Sequence, residues 1–190
     1  MLSEFPILKT PRLVLRAICQ SDAPLIHRNL SDFQTVMYSN ASEAPSLKKV
    51  QQMIDKWKED FNKQQSIRWG ITIKEDIVIG SCGYKKIAKR YRRAEIGYEI
   101  FAEYRRQGLM SEALNAVIQF GFETMDFNRI EATVDPENLP SILLLNKLCF
   151  SEEGMLREYE LQKERFSNLK LFSLLQRDFV GLSKYDLCQL

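Results

Sequence analysis

The segment from Glu95 to Leu114 combines a strand pattern, a loop and a helix start in an order that suits phosphate binding. Its loop reads Arg105-Arg106-Gln107-Gly108-Leu109-Met110-Ser111 and leads directly into an apolar helical pattern. The first N–H groups of a helix lack intrahelical partners and carry partial positive charge, so a loop at this position can hold a phosphate or pyrophosphate. Gly108 leaves out a side chain where the backbone must approach such a ligand.

Two common nucleotide-binding patterns are absent from the sequence. Neither G-x-x-x-x-G-K-[ST] nor G-x-G-x-x-G occurs, so a nucleotide triphosphate loop and a Rossmann dinucleotide site are both unsupported. The phosphate-loop class that remains is the acyl-CoA binders.

Two carboxylates precede the loop, and two polar residues follow it much later in the chain. The strand period of two puts Glu95 and Glu99 on one face, where either can act as a general base. Both can equally be solvated strand residues, as most carboxylates are. Ser141 can hydrogen-bond a thiol or a substrate, and Asn138 can bind amides, but both positions also suit helix capping.

Hydrophobic periodicity gives the elements that must position these residues in the N-terminal half. Ser21-Asp22 offers a cap for the first helix, and the second is an amphipathic helix after Pro45. The three consecutive strands that follow should form an antiparallel meander. The expected elements are a strand at Arg12–Arg16, helices ending at Leu30 and starting at Ser46, and strands at Ile67–Ile73, Ile77–Tyr84 and Arg92–Ile100.

The C-terminal half begins with a strand, helix, strand crossover. Its helix starts after Gly108, and its second strand is Arg129–Val134. A short apolar helix follows at Leu139–Leu148. Two closing strands are expected at Met155–Tyr159 and Leu169–Phe179.

Length and composition indicate one folded domain over residues 1–190. Charged residues make up 27% and hydrophobic residues 45%, which is close to the averages for globular domains and argues against disorder. The sequence shows no signal peptide and no long apolar run, so we expect a cytoplasmic protein without a membrane span. The four cysteines have no C-x-x-C spacing, which gives no support for a metal site and favours reduced, mostly buried thiols.

Positive charge is concentrated in the run Lys85–Arg93, although the formal net charge is only +2. This run could contact RNA, the ribosome or an acidic protein, or it could simply keep an exposed hairpin soluble. The single histidine, His27, lies in the first helix and is given no role. Trp57, Trp69 and Phe61 are expected in the core or a pocket wall.

Together these motifs resemble the GNAT acetyltransferases. Arg105 and Gly108 fit the [QR]-x-x-G-x-[GA] pyrophosphate loop of that superfamily. The stretches Leu8–Arg16 and Ala94–Tyr98 are similar to its ribosomal-protein-alanine N-acetyltransferase branch, that of RimJ and RimL. The same is true of Asn138, Ser141, Lys147, Phe150 and Glu153–Arg157. The resemblance spans roughly residues 8 to 180, essentially the whole chain.

The resemblance implies the GNAT fold of the α/β (α+β) class, with a mixed, mostly antiparallel twisted sheet of about seven strands flanked by about four helices. It also implies acetyl-CoA as cofactor and direct attack by a primary amine, either a protein N-terminus or a small molecule. Glu95 aligns with the base of several GNATs, with Glu99 in reserve and Ser141 as a third candidate. The expected cofactor-binding residues are Ile100, Phe101, Arg105, Arg106, Gln107, Gly108, Leu109, Met110, Ser111, Asn138, Ser141 and Lys147.

A second class remains open at this point, a catalytically silent acyl-CoA-binding module whose groove serves a protein or RNA partner. The chain can be a monomer or a homodimer.

The chain departs from the family pattern at three positions: Met110 replaces a small residue, Cys149 replaces a glycine and Asn168 replaces a frequent aspartate. Leu145 stands where many GNATs of other branches have a tyrosine that protonates the CoA thiolate. Solvent can protonate that thiolate instead, because thiols have a pKa of about 8.5.

Overall fold

The computed structural model describes residues 2, 4–31, 44–73, 76–162 and 165–179. In these ranges eight strands form one sheet that four α-helices flank. The strands are β1 (Leu8–Lys9), β2 (Val14–Ala17), β3 (Ile67–Thr72), β4 (Val78–Ala88), β5 (Arg93–Ile100), β6 (Arg129–Val134), β7 (Ser151–Gln162) and β8 (Arg165–Leu175). The helices are α1 (Ala23–Leu30), α2 (Leu47–Asn62), α3 (Leu109–Glu123) and α4 (Leu139–Lys147).

The sheet order is β1-β2-β3-β4-β5-β6-β8-β7. Every neighbouring pair is antiparallel except β5 and β6, which are parallel because α3 carries the chain from one to the other. This confirms the expected mixed, mostly antiparallel sheet and its central meander. The short β1 is the strand that the sequence patterns did not predict.

The parallel pairing of β5 and β6 is short, and this opens the sheet. It stops at Glu95 opposite Glu131. Beyond that point β5 continues along β4 as far as Ile100, and β6 continues along β8 as far as Val134. The two strands therefore diverge toward their carboxyl ends and leave a gap in the middle of the sheet.

Helices cover the sheet from both faces. Helix α3 packs over β4, where the buried Tyr84 hydroxyl donates to the Val117 carbonyl at 2.8 Å. On the other face, Val50 and Ile54 of α2 pack with α1 and with Val78 and Phe101. The predicted amphipathic helix is thus confirmed, and Ser46 caps it by accepting a bond from the Lys49 N–H.

The start of α1 differs from the expected cap. Asp22 lies in a 3-10 turn, and its carboxylate accepts bonds from the Cys19 N–H and from Arg16, whose Nη1 is 2.8 Å from Asp22 Oδ2. Within the part of the chain that the structure describes, no side-chain bond caps the start of α1. A buried carboxylate gains more from a charged guanidinium than from a single helix N–H.

The closing hairpin also differs from the expected one. Strand β7 is longer than the expected Met155–Tyr159, whereas β8 begins and ends four residues before the expected Leu169–Phe179. The chain leaves the sheet at Gln176, where a 3-10 turn replaces the strand. Only Lys170–Leu175 of β8 pairs with β6. The distal part of the hairpin is largely exposed, so it lacks the alternation that marks a half-buried strand.

The expectation of mostly buried thiols is wrong for two of the cysteines described. Cys82 is buried, whereas Cys19 and Cys149 are exposed, and all three are free of disulfides; Cys188 lies outside the described residues. Cys149 adopts a left-handed φ of 61° just after α4, and the Phe150 N–H then bonds to the Leu145 carbonyl. This helix end favours glycine, which explains the family preference at this position.

Candidate functional site

The loop between β5 and α3 has the geometry of an anion-binding helix start. After a 3-10 turn at Ala102–Tyr104, the chain passes through left-handed conformations at Arg106 (φ 61°) and Gly108 (φ 73°). Gly108 is the N-cap of the 15-residue α3, and no side chain among the described residues caps that helix. The first N–H groups of α3 therefore keep their capacity to bind an anion.

The turn between β1 and β2 fixes this loop from outside. Thr10 Oγ1 donates to Glu112 Oε1 at 2.6 Å, and Arg12 Nε donates to Glu112 Oε2 at 2.6 Å. Arg12 Nη1 also donates to the Gln107 carbonyl at 3.0 Å. Arg12 thus adds a half-exposed guanidinium beside the loop. No sequence pattern pointed to a role for Arg12, although it lies within the family-like stretch Leu8–Arg16.

The expected cofactor residues in this region divide into two groups. Phe101, Leu109 and Met110 are at most 7% exposed and pack into the cores, so a ligand can reach only their backbone. A core position also explains why Met110 is accommodated in place of a small residue. The other expected residues of this stretch are partly or fully exposed: Ile100, Arg105, Arg106, Gln107 and Ser111.

A cavity of about 190 Å³ lies where β5 and β6 diverge, and we call it the cleft. It brings together three residues predicted from the sequence, Glu95, Asn138 and Ser141. Glu99 and Lys147 do not line it; Glu99 Oε1 instead accepts a bond from Ser81 Oγ at 2.9 Å. The lining residues are Lys85, Glu95, Ile96, Gly97, Tyr98, Ala132, Thr133, Val134, Asp135, Asn138, Ser141, Glu160 and Leu169.

Glu95 is a buried carboxylate surrounded by cations. Its side chain is only 6% exposed, and Thr133 Oγ1 donates to Oε1 at 2.8 Å. Lys85 Nζ lies 2.9 Å from Oε1 and Lys86 Nζ lies 2.8 Å from Oε2. Burial disfavours the charged form, but the hydrogen bonds from Lys86 and Lys85 outweigh it and hold the pKa of Glu95 below its ordinary value. Glu95 is therefore an ionised group that binds ammonium ions.

A phenol and a serine meet on another wall of the cleft. The Tyr98 hydroxyl and Ser141 Oγ are 2.7 Å apart. Asn138 Oδ1 accepts a bond from the Ser141 N–H at 3.1 Å, so Asn138 does cap α4. Burial raises the pKa of Tyr98 to about 12, which keeps its proton in place at neutral pH. Strand alternation puts Tyr98 and Glu95 on opposite faces of β5.

Tyr98 was not selected from the sequence, because its partner is 43 positions away. The alternation of β5 could have indicated that Tyr98 lies on the face opposite Glu95, but not that it contacts Ser141. Leu145 is fully buried in the core, so it presents no group to the cleft. The phenol that this cleft contains comes from β5, at Tyr98.

The hairpin of β7 and β8 leans across the cleft. Glu160 and Leu169 line it, although both lie on strands beyond β6. The Tyr159 ring centroid is 5.7 Å from Lys86 Nζ of β4. The hairpin therefore narrows the opening through which a second substrate must pass.

The Acetyltransferase (GNAT) domain model matches residues 12–151. The uncharacterized N-acetyltransferase p20 of Bacillus licheniformis is 40% identical over 175 residues, which cover 92% of this chain and 98% of that protein. The chain belongs to the GNAT family. Membership makes it an N-acetyltransferase that uses acetyl-CoA, which replaces the alternative of a catalytically silent module.

Solved structures share the fold of this GNAT enzyme. The ribosomal-protein-S5-alanine acetyltransferase of Vibrio fischeri superposes with a TM-score of 0.80 at 22% identity, covering 92% of this chain and 98% of that one. RimL, a ribosomal L7/L12 alpha-N-protein acetyltransferase solved in complex with coenzyme A, has a TM-score of 0.81 at 18% identity. That match covers 90% of this chain and 98% of RimL. At these identities the similarity shows the fold alone.

The basic run Lys85–Arg93 is largely paired within this GNAT enzyme. Lys85 and Lys86 bind Glu95, Arg92 binds Asp126, and Arg93 Nη1 lies 3.2 Å from Glu131. These pairs lower the positive potential that the sequence suggested for the surface.

In the described part of the chain, no helix is long and apolar enough to cross a lipid bilayer.

Proposed function

We propose that this GNAT enzyme acetylates a primary amine by direct attack of the amine on the acetyl-CoA thioester inside the cleft. The observation that carries the proposal is Glu95, a buried carboxylate that already binds two ammonium groups where β5 and β6 part. A cationic acceptor has the same chemistry as those lysine side chains. It can therefore exchange with one of them at Glu95.

The loop residues fit the pyrophosphate of the cofactor. Gly108 is the N-cap of α3 and has no side chain to cap it, and Arg105 supplies positive charge in the loop. Arg12 is paired with Glu112 and keeps a half-exposed guanidinium beside the loop. The pantetheine arm would extend into the gap between β5 and β6, with Asn138 at one wall. Bound acetyl-CoA supplies an acetyl group activated as a thioester. RimL, which has the same fold, was solved in complex with coenzyme A, which supports coenzyme A as a ligand of this fold.

Glu95 would bind the amine of the acceptor and accept its proton. An amine reaches the site mostly as an ammonium ion, because α-amino groups have a pKa of about 8 and lysines about 10.4. The carboxylate attracts and orients this ion. It then receives the proton that the nitrogen releases as the C–N bond forms, directly or through water. Thr133 keeps the carboxylate oriented throughout.

Ser141 and Tyr98 would act on the leaving sulfur from the opposite side. A complete proton transfer from a phenol with a pKa of about 12 to a thiolate of about 8.5 is uphill by roughly 5 kcal/mol. We therefore assign these hydroxyls the role of hydrogen-bond donors that stabilise the thiolate. Its final proton comes from the amine or from solvent.

The acceptor would be a protein N-terminus or a small-molecule amine. Asp135 and Glu160 add negative charge to the cleft, which favours a cationic substrate. The hairpin of β7 and β8 lines the cleft through Glu160 and Leu169, so we expect an acceptor that is narrow next to the reacting nitrogen. The Vibrio fischeri structure with this fold is named for an alanine acceptor on a ribosomal protein, which supports including peptides among the candidates.

The test measures the release of CoA from acetyl-CoA with pairs of acceptor molecules that differ only at the nitrogen. Each peptide or small amine is compared with the same molecule carrying a blocked nitrogen, at varied concentrations of both substrates. We expect release only with free primary amines, and initial-rate lines that intersect. Parallel lines together with a labile acetyl-enzyme would contradict direct attack, and equal release with blocked molecules would contradict an amine acceptor.

A further inference from the structure

The cleft already contains a primary amine of the protein itself. Lys85 lines the cavity together with Ser141 and Tyr98, and its Nζ is 2.9 Å from Glu95 Oε1. Lys85 stands directly opposite Glu95 in the register of β4 and β5. This is the position that the proposed function gives to the nitrogen of an acceptor.

Lys85 and Lys86 are held differently although both contact Glu95. Lys86 has a left-handed φ of 52°, and the pairing of β4 with β5 becomes irregular after Lys85. Lys86 Nζ also lies over the Tyr159 ring at 5.7 Å. Burial disfavours its charge, but the hydrogen bond to Glu95 outweighs this and raises the pKa of Lys86, which keeps it an ammonium ion. Lys86 does not line the cleft, whereas Lys85 does.

We propose that Lys85 is an acetylation site of the enzyme itself, modified from acetyl-CoA bound in its own cleft. The inference rests on the proposed function, because it uses the same thioester and the same carboxylate. The lysine stem is half-exposed at 51%, so the amine can leave Glu95 Oε1 for the thioester without unfolding the strand.

The reaction balances without any further reagent. Lys85 gives one ammonium proton to Glu95, and the free amine attacks the thioester carbonyl carbon. A C–N bond forms as the C–S bond breaks, and the CoA sulfur leaves as a thiolate. The nitrogen then loses a second proton. One of the two protons converts the thiolate to a thiol and the other passes to solvent, leaving a stable amide at Lys85.

Acetylation would change the electrostatics of the cleft. The modified side chain is neutral, so Glu95 keeps Lys86 as its cationic partner and loses the ion pair with Lys85. An external ammonium acceptor and unmodified Lys85 compete for the same carboxylate. A saturating amine acceptor should therefore protect Lys85 from modification.

The test is peptide mass spectrometry after incubation with isotope-labelled acetyl-CoA, which separates new acetyl groups from existing ones. Lys56 and Lys63 serve as internal controls, because each is exposed and paired with a carboxylate four residues away on α2 or at its end. We expect Lys85 to be labelled faster than either control by on the order of tenfold or more. The label should be absent at this position in Lys85→Arg and fall to the control rate in Glu95→Gln.

Equal labelling of Lys85, Lys56 and Lys63, in folded and urea-unfolded protein alike, would mean spontaneous acetylation and overturn the proposal. Turnover of an external amine is measured in parallel. Turnover with no label at Lys85 overturns self-acetylation and leaves the proposed function standing. Selective label at Lys85 without turnover of any external amine supports self-acetylation and counts against an external acceptor.

Discussion

At the scale of single residues, the cleft places the group that accepts the proton of the amine and the groups that stabilise the thiolate on opposite sides of β5. Glu95 faces one side of β5, and Tyr98 faces the other, where it meets Ser141. The amine can thus lose its proton on one side while the thiolate forms on the other. The two lysines keep Glu95 ionised, which makes it a good site for an ammonium ion but a weaker base than a free glutamate.

Tyr98→Phe removes one hydroxyl and leaves the ring in place. We expect kcat to fall about three- to tenfold with little change in the KM for acetyl-CoA, because one hydrogen bond contributes about 0.5–1.5 kcal/mol. In a Ser141→Ala background the same change should have little further effect. Tyr91→Phe, on an exposed tyrosine, is the matched control. A full additional loss in the double variant would show that Tyr98 acts independently of Ser141.

At the scale of elements, distant segments hold the cofactor loop in shape. Thr10 and Arg12 donate hydrogen bonds to Glu112 in the first turn of α3, and Arg12 also donates to the Gln107 carbonyl. Burial disfavours the charge on Glu112, but bonds from Thr10 and Arg12 outweigh it and lower its pKa. The loop is therefore fixed before any cofactor arrives.

Substitutions at Gly108 should weaken CoA binding for a conformational and a steric reason. Its φ of 73° costs Val about 1–2 kcal/mol, whereas Asn tolerates this region. Among the described residues, an added Cβ meets only Arg12 Nη2, at 3.5 Å. Gly108→Asn should therefore fold nearly as stably as wild type and still bind CoA more weakly, and Gly108→Val should bind weaker still. Calorimetry showing wild-type affinity in folded Gly108→Val would refute the placement of the pyrophosphate.

Cys149→Gly should stabilise the protein by on the order of 0.5–1 kcal/mol. The residue has a left-handed φ of 61°, which glycine adopts without the Cβ penalty that cysteine carries. The gain is partly offset by the greater freedom of glycine in the unfolded chain. Urea denaturation measures it, with Cys19→Ser as the exposed-thiol control. A less stable Cys149→Gly would mean that the cysteine side chain stabilises the fold by more than its left-handed backbone conformation destabilises it.

The sequence predicted those parts of the molecule that depend on local patterns. Helices α2 and α3, the meander and the glycine loop follow from periodicity and from helix-end chemistry. The length of β7 and the bounds of β8 did not follow, because exposed strands show no alternation. The contacts of Tyr98 with Ser141 and of Arg12 with Glu112 join residues 43 and 100 positions apart, and one sequence gives no signal for such pairs.

At the scale of the whole molecule, buried and bridged carboxylates tie stability to pH. Arg129 bridges Glu131 of β6 and Glu153 of β7. Hydrogen bonds from Arg129 and Ser173 lower the pKa of Glu153 to about 2, and Asp22, Glu95 and Glu112 are also lowered. A carboxyl group with a lower pKa in the folded protein stabilises the fold when ionised and ceases to do so when protonated.

These carboxylates are ionised at neutral pH and should contribute their full stabilisation there. The free energy of unfolding should therefore fall as the pH drops from about 4.5 toward 2. Glu153→Gln should be less stable at neutral pH and show a shallower fall across this window. Glu59→Gln, which alters only an exposed pair with Lys63, is the matched control. Urea denaturation at a series of pH values measures both. A Glu153→Gln curve parallel to wild type would exclude the bridge as a source of the pH dependence.

The most direct test of the account is the acetylation rate as a function of pH for wild type and Glu95→Gln, with a primary amine that supports CoA release as the acceptor. We predict that Glu95→Gln is slower by about 10²-fold or more near neutral pH and binds CoA as wild type does. The variant should approach wild type as the pH rises, because the amine then deprotonates unaided. Superimposed profiles would contradict the account and show that Glu95 takes no part in the transfer.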